Sequence, residues 1–206
     1  MPLTPLPPTD TRPLFRPLTS ALTDLLRELP ADAWRMPAVG TWQVRDVVAH
    51  LVDVSLRRLA LHRDGHTPDP PPFTIADAAD LTRFINGLNA EWTRAARRLS
   101  TRQLTELYAS AATQLSDWFE ALPLEAPALF AVSWAGETES PGWFDVGRDF
   151  TEQWHHQAQI RTAVDAPALG DPAWLNAVLR IALRALPHAY GHQEAAEGTA
   201  VAMRRV

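Results

Sequence analysis

Arg148-Asp-Phe-Thr-Glu152-Gln-Trp-His-His156-Gln-Ala-Gln-Ile-Arg161 is the stretch that decides how this chain folds. Its apolar residues do not alternate, as a half-buried strand would require. They recur at helical intervals. Extended back to Asp145 and on to Val164, the segment gathers Val146, Phe150, Gln153, Gln157, Ile160 and Val164 into one sector of a helix. With a turn of about 100° per residue, Glu152 and His156 stack one above the other on a shoulder, about 80–120° from the centre of that sector. His155 falls on the opposite side, toward solvent. Carboxylate and imidazole are ligand types for a divalent metal, although an isolated Glu-x-x-x-His pair more often only supports a surface helix.

A second helix repeats this geometry about a hundred residues earlier. Thr41 is read as its N-cap, and the helix is expected from Trp42 to about Arg63. Its stripe is Val44, Val47, Val48, Leu51, Val54 and Leu61. His50 sits about 100° from the centre of that stripe. A lone histidine in such a place is usually a hydrogen-bonded core or boundary residue. Together with Glu152 and His156 it makes an imidazole–carboxylate–imidazole set on the edges of two inward-facing stripes. In a bundle, such edges meet at a groove between helices, where metals and cofactors are commonly held.

The other segments fit the same class. Leu14, Leu18, Leu22, Leu25, Leu26 and Leu29 form a stripe that starts at Pro13 and is stopped by Pro30. Thr74 is read as the cap of a helix over Ile75 to Leu99, and Ser100 with Gln103 as a capping box opening a helix over Thr101 to about Leu122. Pro123, Pro127, Gly136, Pro141 and Gly142 interrupt the pattern over 123–144, where Leu129 to Trp134 reads as a short strand in a long crossover. Asp171-Pro172 opens a last helix to about Leu186. The expected fold is all-α: a four-helix bundle with a long crossover and a short extended C-terminal tail. The divisions are a proline-rich extension over 1–12, a bundle over 13–197 and a tail over 198–206.

Composition narrows the chemistry. With 206 residues, 46% of them hydrophobic and 21% charged, the chain has the make-up of one well-cored domain. A net charge of −5 gives no electrostatic reason to expect nucleic acid or an anionic membrane as partner. No apolar run approaches the roughly 20 residues that span a bilayer. Met1 to Pro8 lacks the charged and apolar regions of a signal peptide, so the expected location is cytoplasmic. There are no cysteines, which removes disulfides, thiolate ligands and cysteine nucleophiles together. A metal here must use His, Asp, Glu or water, and thiol chemistry must borrow its thiol from a small molecule.

Two stretches resemble one known family. Thr41-Trp-Gln-Val-Arg-Asp-Val-Val-Ala-His50-Leu51 looks like the first motif of DinB-like proteins of the mycothiol-dependent maleylpyruvate isomerase N-terminal type, a Trp-x-Val-x-Asp-x-x-x-His-Leu stretch. The stretch from Arg148 to Arg161 resembles the second, an arginine followed by Glu-x-x-x-His. The resemblance implies that His50, Glu152 and His156 are metal ligands and that His155 is not. It also implies a four-helix bundle, a divalent cation (zinc or nickel before others) and a low-molecular-weight thiol as cosubstrate. Gln159 stands where the family often has aspartate. Gly198 to Val206 resembles the opening of the small C-terminal domain of full-length isomerases.

Around the triad, Arg45, Arg148 and Arg161 are candidates for carboxylate groups on a substrate or thiol, against the plainer reading of surface charges paired with Asp46 or Asp149. Trp134 and Trp143, in the crossover, are candidates for a pocket wall. His62 and His66 read as solvated loop residues. The expected function is metal-activated use of an external thiol, mycothiol or bacillithiol, in S-transfer or isomerisation. A non-catalytic metal- or ligand-binding protein and a metal-dependent hydrolase are the alternatives. The expected partners are a small-molecule substrate and the thiol, with a homodimer also expected of such a bundle.

Overall fold

A computed structural model describes residues 7–194, 196, 198 and 199. Seven helices and one small hairpin are found among them: α1 (Arg12–Glu28), β1 (Pro37–Val39), β2 (Trp42–Gln43), α2 (Val44–Arg58), α3 (Ala78–Ala96), α4 (Thr101–Ala121), α5 (Gly142–Ala163), α6 (Pro172–Leu183) and α7 (Leu186–Tyr190). The protein is all-α. Helices α1, α2, α4 and α5 pack on one another as the bundle, α3 lies along α2, and α6 lies along α5. No helix among the described residues is long and apolar enough to cross a membrane.

Two apolar clusters hold the bundle. One joins Leu22 and Leu26 of α1, Val44, Val47, Val48 and Leu51 of α2, Leu104 and Tyr108 of α4, and Ile160 of α5. The other joins Phe15, Leu18, Leu59, Leu115, Phe119, Val146 and Phe150. Each fully buried Leu or Phe contributes about 1.5–3 kcal/mol. That sum is the main source of the bundle's stability, and polar groups buried between α2 and α5 add to it only where they are paired.

Helix boundaries differ from the sequence expectation where local hydrogen bonding competes with periodicity. Trp42 and Gln43 pair with Val39 and Pro37 in the hairpin, so α2 begins at Val44. Its cap is Gln43, not Thr41, through a capping box with Asp46. The end of α2 widens into a π-type turn at Leu59–Arg63. Helix α3 is capped by Asp77 rather than Thr74, and α4 starts at the expected Ser100–Gln103 box. Leu129 to Trp134 is not a strand, since it has no neighbour to pair with. The crossover instead makes a bridge between Pro127 and Pro141 and a single 3₁₀ turn at Ser133–Ala135. Gly136, at φ 75°, reverses the chain after that turn in a conformation that favours glycine. The region read as a C-terminal tail lies mostly outside the described residues.

Two arrangements position the site. Asp46, almost wholly buried, accepts hydrogen bonds from the Gln43 backbone N–H at 3.1 Å and from Arg97 Nε and Nη2 at 3.1 and 3.0 Å. That clips the first turn of α2 to the end of α3, one turn before His50. On the other side, Gly147 faces Ile181 of α6. A Cβ on residue 147 would lie 2.3 Å from Ile181 Cδ1 and 2.9 Å from Cγ1, so a larger residue there would require the buried Ile181 side chain to move.

Candidate metal centre

His50, Glu152 and His156 meet between α2 and α5. One donor atom of each lies within 4.8 Å of the other two. Glu152 Oε1 is 2.9 Å from His50 Nε2 and 3.1 Å from His156 Nε2, so both imidazoles are aimed at the same oxygen. The two rings stand nearly edge to face, with centroids 4.9 Å apart at 80°. Trp42 covers His50 from the hairpin side, its ring centroid 5.1 Å away. His50 is 6% exposed, whereas the Glu152 side chain keeps 43% of its surface open. The centre is therefore closed at the back and reachable at the carboxylate.

Burial alone would raise the Glu152 carboxyl. The hydrogen bonds from His156 and His50, with their charges, more than offset it and hold the group well below the ordinary carboxylate range. Burial likewise works against protonation of His156, but acceptance by Glu152 and by Gln159 wins and its pKa is raised.

The outer contacts of the two histidines differ. His156 Nδ1 donates to Gln159 Oε1 at 2.8 Å, while Gln159 Nε2 donates to His155 Nε2 at 2.8 Å. A histidine that offers Nε2 to a metal must carry its proton on Nδ1 and needs an acceptor there; Gln159 is that acceptor. His50 Nδ1 is buried with no partner. The donor set of two imidazoles and one carboxylate, converging through Nε2, Nε2 and Oε1 with an outer partner on His156, fits a divalent cation with a position left open.

Residues 4–161 match the family model described as the mycothiol maleylpyruvate isomerase N-terminal domain. The chain belongs to that family. No curated protein and no solved structure matches it. As a member of this DinB-like family it has the expected all-α fold, and the motif residues His50, Glu152 and His156 are the three that converge.

The other candidates go to different places. Arg45 Nη2 donates to the carbonyls of Arg97 and Leu99 at 3.2 and 3.4 Å, capping the end of α3. Arg148 pairs with Asp145 at 2.7 Å, and Arg161 donates to the carbonyls of Ala21 and Pro167 at 3.0 Å each. Trp143 is buried, with Arg184 over its ring at 5.0 Å. Trp134 is 44% exposed and stands beside Glu152 across a cleft.

Sequence reasoning missed a second polar cluster on the same seam. Arg58, on α2 two turns beyond His50, is buried and paired with Asp145 and, through Nε at 3.1 Å, with Asp149. Burial pushes the Asp149 carboxyl up even though Arg58 and Arg148 pull the other way. Arg58 Nη1 donates to His62 Nε2 at 3.2 Å. His62 is half-buried rather than solvated, and desolvation, then the Arg58 charge, depress its pKa to about 4. The signal was present: Arg58 lies seven residues after Leu51, on the apolar stripe itself, and Asp145, Asp149, Glu152 and His156 recur at intervals of four, three and four.

Proposed function

We propose that this protein binds a divalent metal at His50, Glu152 and His156, zinc or nickel being the expected ion, and uses a small external thiol to attack or isomerise an electrophilic substrate. The observation that carries the reading is the convergence of two Nε2 atoms on one oxygen of a reachable carboxylate, in a chain with no cysteine of its own. The family name, mycothiol maleylpyruvate isomerase, supports mycothiol as the thiol, drawn from a cytoplasmic pool. The unit carrying this chemistry is taken as the bundle, residues 13–197.

The chemistry a divalent ion would supply there is Lewis acidity, which favours thiolate over thiol near neutral pH. The protein's own residues do the rest. Trp42 and the buried wall of α2 keep water from the back of His50. Gln159 holds the His156 ring with its proton on Nδ1, leaving Nε2 as donor. Glu152, open to solvent on its other side, marks the direction from which thiol and electrophile enter. With no cysteine in the chain, no protein thiol competes with the external one.

Elemental analysis after incubation with zinc or nickel, followed by conjugation assays with and without mycothiol, tests this. One equivalent of ion per chain and thiol-dependent turnover, both lost in His50→Ala, are expected. A protein that takes up no divalent ion, or whose turnover ignores the thiol, overturns the reading.

A further inference from the structure

His50 and His156 turn their Nε2 atoms to the same oxygen, but their other nitrogens are treated differently. His156 Nδ1 donates to Gln159 Oε1 at 2.8 Å, three residues further along α5. His50 Nδ1 is buried and has no hydrogen-bond partner. An ion bound at Nε2 leaves the single proton of a neutral imidazole on Nδ1. There it is a buried N–H, and a buried donor without an acceptor is costly. Trp42 and His156 present rings to His50, and Glu152 stands on its Nε2 side.

Three residues after His50, at the spacing of Gln159 from His156, comes Asp53. Residues i and i+3 share a helix face, and the later side chain leans back over the earlier turn. Asp53 is 8% exposed, and its Oδ2 is also buried without a hydrogen bond. Arg57 Nη2 is 2.9 Å from that oxygen but out of line with it, and donates to Asn89 Oδ1 at 3.1 Å. One turn of α2 therefore carries a buried ring nitrogen and a buried carboxylate oxygen, both unpaired. Buried polar atoms in folded proteins are nearly always paired.

We propose that Asp53 is the outer partner of His50: with a divalent ion on Nε2, its carboxylate accepts the Nδ1–H and fixes the ring for coordination. This rests on the metal reading above. Asp53 touches neither ion nor substrate, so it is a positioning residue. A carboxylate has lone pairs enough to accept from His50 while keeping Arg57 as its counter-charge. Its hydrogen bond is charge-assisted, which that of the Gln159 amide is not. His50 is thereby the more basic of the two imidazoles toward the ion.

Zinc affinity, measured by competition with a chelator on variants first shown to be folded without metal, tests this. Asp53→Ala should weaken binding about 10- to 100-fold. Asp53→Asn, which keeps an uncharged acceptor, should recover part of the loss, and Arg57→Ala should stay close to wild type. A second readout is the His50 Nδ1–H proton in 1H–15N NMR of the zinc-loaded protein. It should exchange slowly with solvent and move upfield in Asp53→Asn, which decides the matter even if Asp53→Ala does not fold. An unchanged affinity in Asp53→Ala, an unmoved resonance in Asp53→Asn, or an equal loss in Arg57→Ala overturns the role of Asp53. If wild type takes up no zinc, the metal reading fails and this one with it. If wild type holds zinc through His50 and His156 and Asp53→Ala holds it as tightly, only the role of Asp53 fails.

Discussion

Two polar clusters are buried along the same seam between α2 and α5, with Arg58 about 12 Å beyond His50 by helical rise, and they are built on opposite principles. Around Arg58, two guanidiniums face two carboxylates, and the remaining Nη1 is taken up by His62. Every charge there has an opposite within the chain. Around Glu152, two imidazoles crowd onto one oxygen, one of them leaves its second nitrogen unpartnered, and the carboxylate stays open to water. The first cluster is balanced in charge as folded, although Arg58 Nε and Asp145 Oδ1 make no well-aligned hydrogen bond, while the second has the donors of a site that an ion would complete. The difference teaches that buried polarity alone does not mark a functional centre. What marks it is donor atoms converging from several directions with one approach left open.

The comparison breaks most readily at Arg58. Replacing it with alanine leaves Asp145 and Asp149 with the half-exposed Arg148 as their one remaining counter-charge. A loss of about 3–5 kcal/mol of stability is expected, read by urea unfolding, with the metal ligands untouched. A loss under 1 kcal/mol would mean that the cluster is not self-contained. At the other cluster the dependence should be on the ion. With zinc at about 100 times Kd, the wild-type protein should gain about 2.7 kcal/mol, seen as a raised Tm, and His50→Ala and His156→Ala should gain none. Equal gains in all three would place the ion elsewhere.

A finer contrast concerns outer support. Gln159→Leu removes the acceptor for His156 Nδ1 and should weaken zinc binding 10- to 100-fold, measured by competition with a chelator. Gln159→Glu, which restores an acceptor, should recover most of it. The smallest effect belongs to pH. His62 titrates near 4 when folded and near its ordinary 6.5 when unfolded. Between those values the unfolded chain holds the extra proton, so stability falls as pH drops from 6.5 toward 4 and levels off below. Because His62 is only half-buried, screening reduces the effect to about 1 kcal/mol. It should appear as a pH-dependent difference between wild type and His62→Gln.

How much of this was legible depends on which force set each feature. Hydrophobic periodicity carries the helices and the convergence of His50, Glu152 and His156, because one apolar stripe per helix fixes which edges face each other. It does not carry Trp42-Gln43, where backbone pairing with Pro37–Val39 overrides a helical pattern. Nor does it carry Leu129 to Trp134, whose residue types suit a strand but which has no partner strand. Arg58 shows a different failure. Its position on the stripe was visible, but a charged residue there reads as an interruption until Asp145 and Asp149 are known to lie opposite. The side chains around the cleft come from three segments far apart in sequence, and no local pattern announces such a meeting.

Gly147 touches neither the triad nor the cleft, yet its missing methyl sets how tightly α6 can lie on α5. Val178 and Ala182 ride on α6. The cleft wall they form is thus backed by the contact of residue 147 with Ile181, on the side away from the opening. A lineage could retune which molecules enter by enlarging that one position, leaving every wall residue and every donor atom as it is.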